Sequence, residues 1–162
     1  MFGQHRSSRT RACAPGSPRR AVPFVRGVSA AVLLVASLAA GTATADLVGH
    51  GGPVRGLAIA PDGRTAVTAG FDYSVIVWDL ASEQPLRRLF GHDAAVNAVA
   101  LVPGAGQAAS VGDDGTLVVW DLATGHPVRR LSSGAPKLAG VAVAPGGELL
   151  AAAGWDGQVH LW

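Results

Sequence analysis

The sequence predicts an all-β fold built of repeated four-stranded antiparallel units, and three observations carry that prediction. The first is self-similarity across the 162 residues: positions 49–90 read GHGGPVRGLAIAPDGRTAVTAGFDYSVIVWDLASEQPLRRLF, and positions 91–132 read GHDAAVNAVALVPGAGQAASVGDDGTLVVWDLATGHPVRRLS. A third copy, at 133–162, reads SGAPKLAGVAVAPGGELLAAAGWDGQVHLW and lacks the opening Gly-His. The register needs no gap: Pro61, Pro103 and Pro145 stand 42 apart, as do Gly70, Gly112 and Gly154, then Asp72, Asp114 and Asp156, and finally Trp78, Trp120 and Trp162. The second observation is that the apolar runs are short, and the third is that turn residues, with 22 Gly and 10 Pro in the chain, bound them on both sides.

Within the first copy, residues 54–60 are apolar or alternating and form a first strand, after which Pro61, Asp62 and Gly63 turn the chain. Residues 65–69 make a second strand, 71–73 a tight turn and 74–78 a third strand. A connection over 79–85 leads to a short fourth strand at 86–89. Four antiparallel strands in roughly 40 residues, with Gly-His near the start and Trp-Asp near the end, is the pattern of a β-propeller blade. In these motifs the chain resembles the WD40 repeat family over residues 49–162, as two complete blades (49–90 and 91–132) and most of a third (133–162), which stops before its fourth strand.

The resemblance implies a structural role for the recurring polar residues. In that family a His, a Ser or Thr, an Asp and a Trp form a hydrogen-bonded tetrad, which in this chain is His50, Thr68, Asp72 and Trp78, then His92, Ser110, Asp114 and Trp120. Such a network stabilises only when every member has a partner. Taken singly, His50 with Asp72 and Thr68 looks like a hydrolytic triad, and His50 with His92 like a pair of metal ligands. Their recurrence in successive blades argues against both. The third copy keeps Asp156 and Trp162 but has Gly134 and Ala152 in place of the His and the hydroxyl. That leaves Asp156 and the Trp162 indole short of partners, and restoring Gly134→His with Ala152→Ser is expected to stabilise this blade.

The resemblance also implies a recognition rim around the start of each first strand and the residue before each tetrad Asp. Those positions are Pro53 and Arg55 with Phe71, Ala95 and Asn97 with Asp113, and Lys137 and Ala139 with Trp155. Aromatic side chains at turn tips, as at Phe71 and Trp155, suit an interface anchor. The partner-binding candidates are Arg55, Phe71, Asn97, Asp113, Lys137 and Trp155. The repeated Arg87-Arg88 and Arg129-Arg130 fall on the outer strand, where charge discourages edge-to-edge pairing. His126 follows Gly125 but overlies Gln84 in the turn between third and fourth strands, so it belongs to no tetrad; His160 occupies the place of Ile76 and Val118. No cluster of His, Cys or carboxylate has the spacing of a metal or acid–base site, so no catalytic residue, metal or cofactor is expected.

Charge divides the chain. Arg6, Arg9, Arg11, Arg19, Arg20 and Arg26 precede every acidic residue, whereas the seven later basic residues face all eleven acidic ones, so the net charge of +2 is no argument for nucleic acid. Basic residues, an apolar stretch at about 27–41 and Ala43-Thr44-Ala45 form the three-part pattern of a secretory signal peptide, residues 1–45, cleaved near Ala45. The alternative is an uncleaved leader that anchors the chain in a membrane. The single Cys13 lies in this leader, so the repeats hold no thiol for a disulfide or a metal. Together these features predict a non-catalytic protein–protein interaction or scaffold module of WD repeats, exported to the bacterial periplasm, with a protein or peptide held on the rim. Three blades fall short of the four to eight or so that close a ring. A fragment of a longer protein, self-assembly to complete the ring and an open array are the alternatives. The second functional class is a fragment of an envelope enzyme or redox protein, for example one with a c-type cytochrome domain, whose catalytic part lies outside this chain.

Overall fold

The computed structural model describes residues 45–162; the leader and Cys13 fall outside the described residues, apart from Ala45. The first sheet contains β1 (Val54–Ile59), β2 (Thr65–Gly70), β3 (Ser74–Asp79) and β4 (Gln84–Phe90). The second contains β5 (Val96–Val102), β6 (Gln107–Gly112), β7 (Thr116–Asp121) and β8 (Pro127–Ser132), and the third β9 (Leu138–Val143), β10 (Leu150–Gly154) and β11 (Val159–Leu161). Every sheet is an antiparallel meander in chain order. Among the described residues no helix is long and apolar enough to cross a membrane.

The sheets stack through their faces. β1 packs on β5 and β5 on β9, so the first strand of each sheet lies innermost and β4 and β8 lie outermost. Val67, Ala69, Val75, Val77 and Leu89 of the first sheet meet Val96, Val99, Val118 and Trp120 of the second. The opposite face of the second sheet, with Ala109, Val111, Leu117 and Val119, meets Leu138 and Ala152 of the third. Central strands are therefore apolar on both faces, which explains their continuous Val- and Ala-rich runs. Gly56 lets β5 approach closely: a Cβ there would stand 2.9 Å from Ala98 Cα.

One irregularity recurs. In each sheet the pairing of the first two strands shifts register, between Val54 and Gly56, between Val96 and Ala98, and between Leu138 and Gly140 opposite Gly154 and Ala153. The residues skipped are Arg55, Asn97 and Ala139. A bulge re-aims the side chain it releases, and all three positions are among those that the family resemblance assigns to the rim.

Candidate functional site

Two buried polar chains tie the loops to the sheets. In the first sheet His50 Nδ1 lies 2.9 Å from Asp72 Oδ1, His50 Nε2 lies 2.8 Å from Thr68 Oγ1, and the Trp78 indole donates to that hydroxyl at 2.8 Å. The second repeats it: His92 Nδ1 to Asp114 Oδ2 at 2.8 Å, His92 Nε2 to Ser110 Oγ at 2.8 Å, and the Trp120 indole to Ser110 Oγ at 2.7 Å. A single proton assignment satisfies each chain. The indole donates to the hydroxyl, the hydroxyl donates to Nε2, and Nδ1–H donates to the carboxylate.

The carboxylates are held ionised by more than the histidine. For Asp72, burial alone would raise the pKa, but the Gly51 amide, His50 and the Ser74 hydroxyl outweigh it and hold the carboxyl well below its ordinary 3.8. Burial opposes ionisation of Asp114 too, and this carboxyl is driven low by His92, the Asp93 amide and Thr116. Arg88 donates to Asp72 and to the Gly49 carbonyl, and Arg130 to Asp114, Asp93 and the Gly91 carbonyl. The second arginine of each repeated pair thus folds back over the network, a contact that a role in protecting the sheet edge does not require. A polar histidine within reach of a buried carboxylate invites a catalytic reading, but every polar atom of each chain is engaged with another, and no buried side-chain nitrogen or oxygen among the described residues lacks a partner.

The third sheet differs from expectation. Asp156 has a partner: His160 Nε2 lies 3.1 Å from its Oδ2, and the His160 ring stacks on Trp162 with centroids 5.9 Å apart. The ring reaches the region that the loop histidine fills elsewhere, since a Cβ on Gly154 would meet His160 Nε2, as a Cβ on Gly70 would meet His50 Nδ1. The register explains how. His160 pairs with Ala152, and the absent hydroxyl leaves room for a side chain from the neighbouring strand. Gly134 has φ +79°, a conformation that a histidine would adopt only with strain. Both facts oppose the gain expected from Gly134→His with Ala152→Ser: the place is taken, and the backbone does not suit a histidine.

At the rim, one backbone hydrogen bond recurs: the Phe71 amide to the Pro53 carbonyl, Asp113 to Ala95, and Trp155 to Lys137. It sets each turn tip against the start of its first strand. Arg55 stands over the Phe71 ring at 5.4 Å and Lys137 Nζ over the Trp155 ring at 5.4 Å. Lys137 also reaches Asp113 across the sheet boundary at 3.1 Å. The Asp113 carboxyl is held below its ordinary value, first by the Asn97 amide and then by Lys137 and Arg55. Asn97 is buried, and it donates one hydrogen bond to Asp113 and another to the Leu138 carbonyl, each at 2.8 Å. It therefore positions Asp113 and does not itself face outward. Phe71 and Trp155 are exposed, Trp155 to 69 %.

His126 is exposed in the turn after β7, where Gly125 takes φ +80°, and its side chain joins neither network. Among the described residues no three His, Cys, Asp or Glu side chains cluster as a metal site.

A stack of antiparallel meanders, two of four strands and one of three, each copy adding one layer and carrying a tryptophan at the end of its third strand or just after it, followed by Asp in the first two copies, defines a β-repeat protein of the propeller class. The sequence pattern of WD40, described as WD domain, G-beta repeat, matches residues 41–79, 83–121 and 124–162, and the chain belongs to that family. This phasing closes each unit at the tryptophan or the residue after it, whereas a phasing from Gly-His keeps the four strands of one sheet together. A search of curated proteins gave no match. WD repeats generally mediate protein–protein interaction or scaffolding, and WD40 domains are typically non-catalytic.

Proposed function

We propose that this chain is a non-catalytic scaffold exported to the cell envelope, and that it holds a protein partner on the face formed by Arg55, Phe71, Asp113, Lys137 and Trp155. The observation that supports this most is the exposure of two aromatic rings, each capped by a cation, at turn tips whose backbones are fixed by recurring hydrogen bonds. Exposed aromatics on rigid supports lose little entropy on binding and are favoured anchors. The Asp113–Lys137 pair between them supplies directional polar contacts. The two four-membered polar networks are proposed as structural, holding the turns that present the rim. Export rests on the basic, apolar and small-residue sequence of positions 1–45.

The test is capture from envelope extract by the wild-type protein and by Phe71→Ala with Trp155→Ala. The double variant is expected to lose the captured partner while keeping the wild-type melting temperature. Equal capture by the two proteins removes the rim from the proposal.

A further inference from the structure

On the two outermost faces of the stack, apolar side chains of the strands stand exposed among the described residues, and the repeat states what geometry would cover them. On the first sheet Val54, Leu57 and Ile59 point away from the second sheet and are exposed. Their counterparts one repeat on, Val96, Val99 and Leu101, do the packing of the second sheet onto the first. The contrast is large: Leu57 is 60 % exposed and Val99 7 %. At the other end, Ala153, Val159 and Leu161 face outward on the third sheet. Their counterparts Val111, Leu117 and Val119 pack the second sheet onto the third; Val159 is 68 % exposed and Leu117 is fully buried. Gly140 keeps, on the outward third sheet, the glycine that at Gly56 lets β5 come close.

We infer that these two faces bind each other between two copies of this chain, the third sheet of one packing on the first sheet of the other as consecutive sheets pack within the chain. The occupant is a second copy because each face is the repeat equivalent of a face that already has its partner within the chain. Size is matched as well as polarity: small Ala142 and Ala153 lie where Ala58 and Ala69 receive larger residues of the next sheet. Charged side chains are absent from both sets, so no ion must be desolvated. A face-to-back contact of this kind is heterologous, and it closes into a ring if the rotation per sheet allows. Two chains bring six sheets, within the roughly four to eight of known propellers. This inference is independent of the rim, whose residues lie at the turn tips and not on the stacking faces.

The experiment is light scattering on the full chain across a concentration series, for wild type, Leu57→Asp, Val159→Asp and an equal mixture of the two variants. Wild type is expected at twice the chain mass, and each variant alone at the chain mass. In the mixture, the first variant contributes an intact third sheet and the second an intact first sheet, so one junction survives and a species of two chains returns. That recovery also shows that both variants fold. A monomeric wild type overturns the inference and assigns the faces to another occupant, a further sheet of a longer polypeptide or a different protein. Association that survives Leu57→Asp overturns it too, because it then runs through another surface such as the apolar stretch at about 27–41. Phe71→Ala with Trp155→Ala is expected to leave the mass unchanged, which separates this result from failure of the rim.

Discussion

Ser110→Ala isolates the buried network of the second sheet with the least disturbance. Ser110 is fully buried, and its hydroxyl joins the Trp120 indole at 2.7 Å to His92 Nε2 at 2.8 Å by hydrogen bonds. Removing one oxygen strands two polar groups that water does not easily reach. Each stranded group costs about 1–3 kcal/mol, so the variant is expected to lose about 2–6 kcal/mol. Against a total stability of about 5–15 kcal/mol for a domain, that is enough to shift a urea midpoint far beyond error. The hole left by one oxygen is too small to add a comparable cavity term, so the loss is a hydrogen-bonding loss.

The assay is urea unfolding followed by tryptophan fluorescence, in a cycle with Trp120→Phe. In the Phe background no indole N–H remains to be stranded, and Ser110→Ala should then cost less by about 1–3 kcal/mol. An equal cost in both backgrounds refutes the reasoning, because it means that the hydroxyl and the indole do not act together. A cost under about 0.5 kcal/mol in the wild-type background refutes it more simply, by placing Ser110 in the range of ordinary surface changes.

Two further outcomes follow from the same geometry. Asp72 and Asp114 have folded-state pKa values below their ordinary 3.8, so the unfolded chain binds more protons on acidification. Their contribution to stability is complete well above that value and is lost progressively as pH falls through and below it; melts between about pH 7 and pH 3 should show this acid limb, flattened in Asp114→Asn. In the third sheet, Gly134→His is expected to destabilise by about 1–2 kcal/mol through its left-handed backbone, and a raised melting temperature would contradict the role of His160 as the partner of Asp156.

Much of this fold is legible in sequence because a repeat supplies its own controls. Strand positions follow from short apolar runs between Pro61-Asp62-Gly63 and its counterparts, and the structure differs from the expected bounds mainly in the fourth strand, which begins at Gln84 and not at residue 86. The register also identifies which histidine is a spare, since His126 overlies Gln84. Contacts made by side chains that reach across elements are less legible. Strand position alone makes Arg88 and Arg130 edge charges, because it does not fix the direction of a long flexible side chain. His160 carries a usable signal. A polar residue in a column otherwise Ile76 and Val118, directly opposite the missing hydroxyl at Ala152, belongs to the one copy whose loop histidine is gone. Asn97 misleads for the opposite reason: its column holds Arg55 and Ala139, and only the packed neighbour shows that its amide is used inward.

The turn after each second strand joins the two roles of the molecule. Phe71 and Asp72 are adjacent, as are Asp113 and Asp114, and Trp155 and Asp156; in each pair one residue faces the rim and the next is hydrogen-bonded beneath it. The stiffness of each rim residue is therefore set by the network under it. Under Phe71 and Asp113 the network runs through a buried hydroxyl to a buried indole, and an arginine covers it. Under Trp155 the side-chain partner of Asp156 is His160, beside the Gln158 amide, and both members of the Asp156–His160 pair are partly open to solvent, where such a pair contributes less than a buried one. A partner that anchors on Trp155 meets the more exposed of the two rim rings over the support more open to solvent, while Asp113, clamped by Asn97 and Lys137, gives it a fixed point to register against.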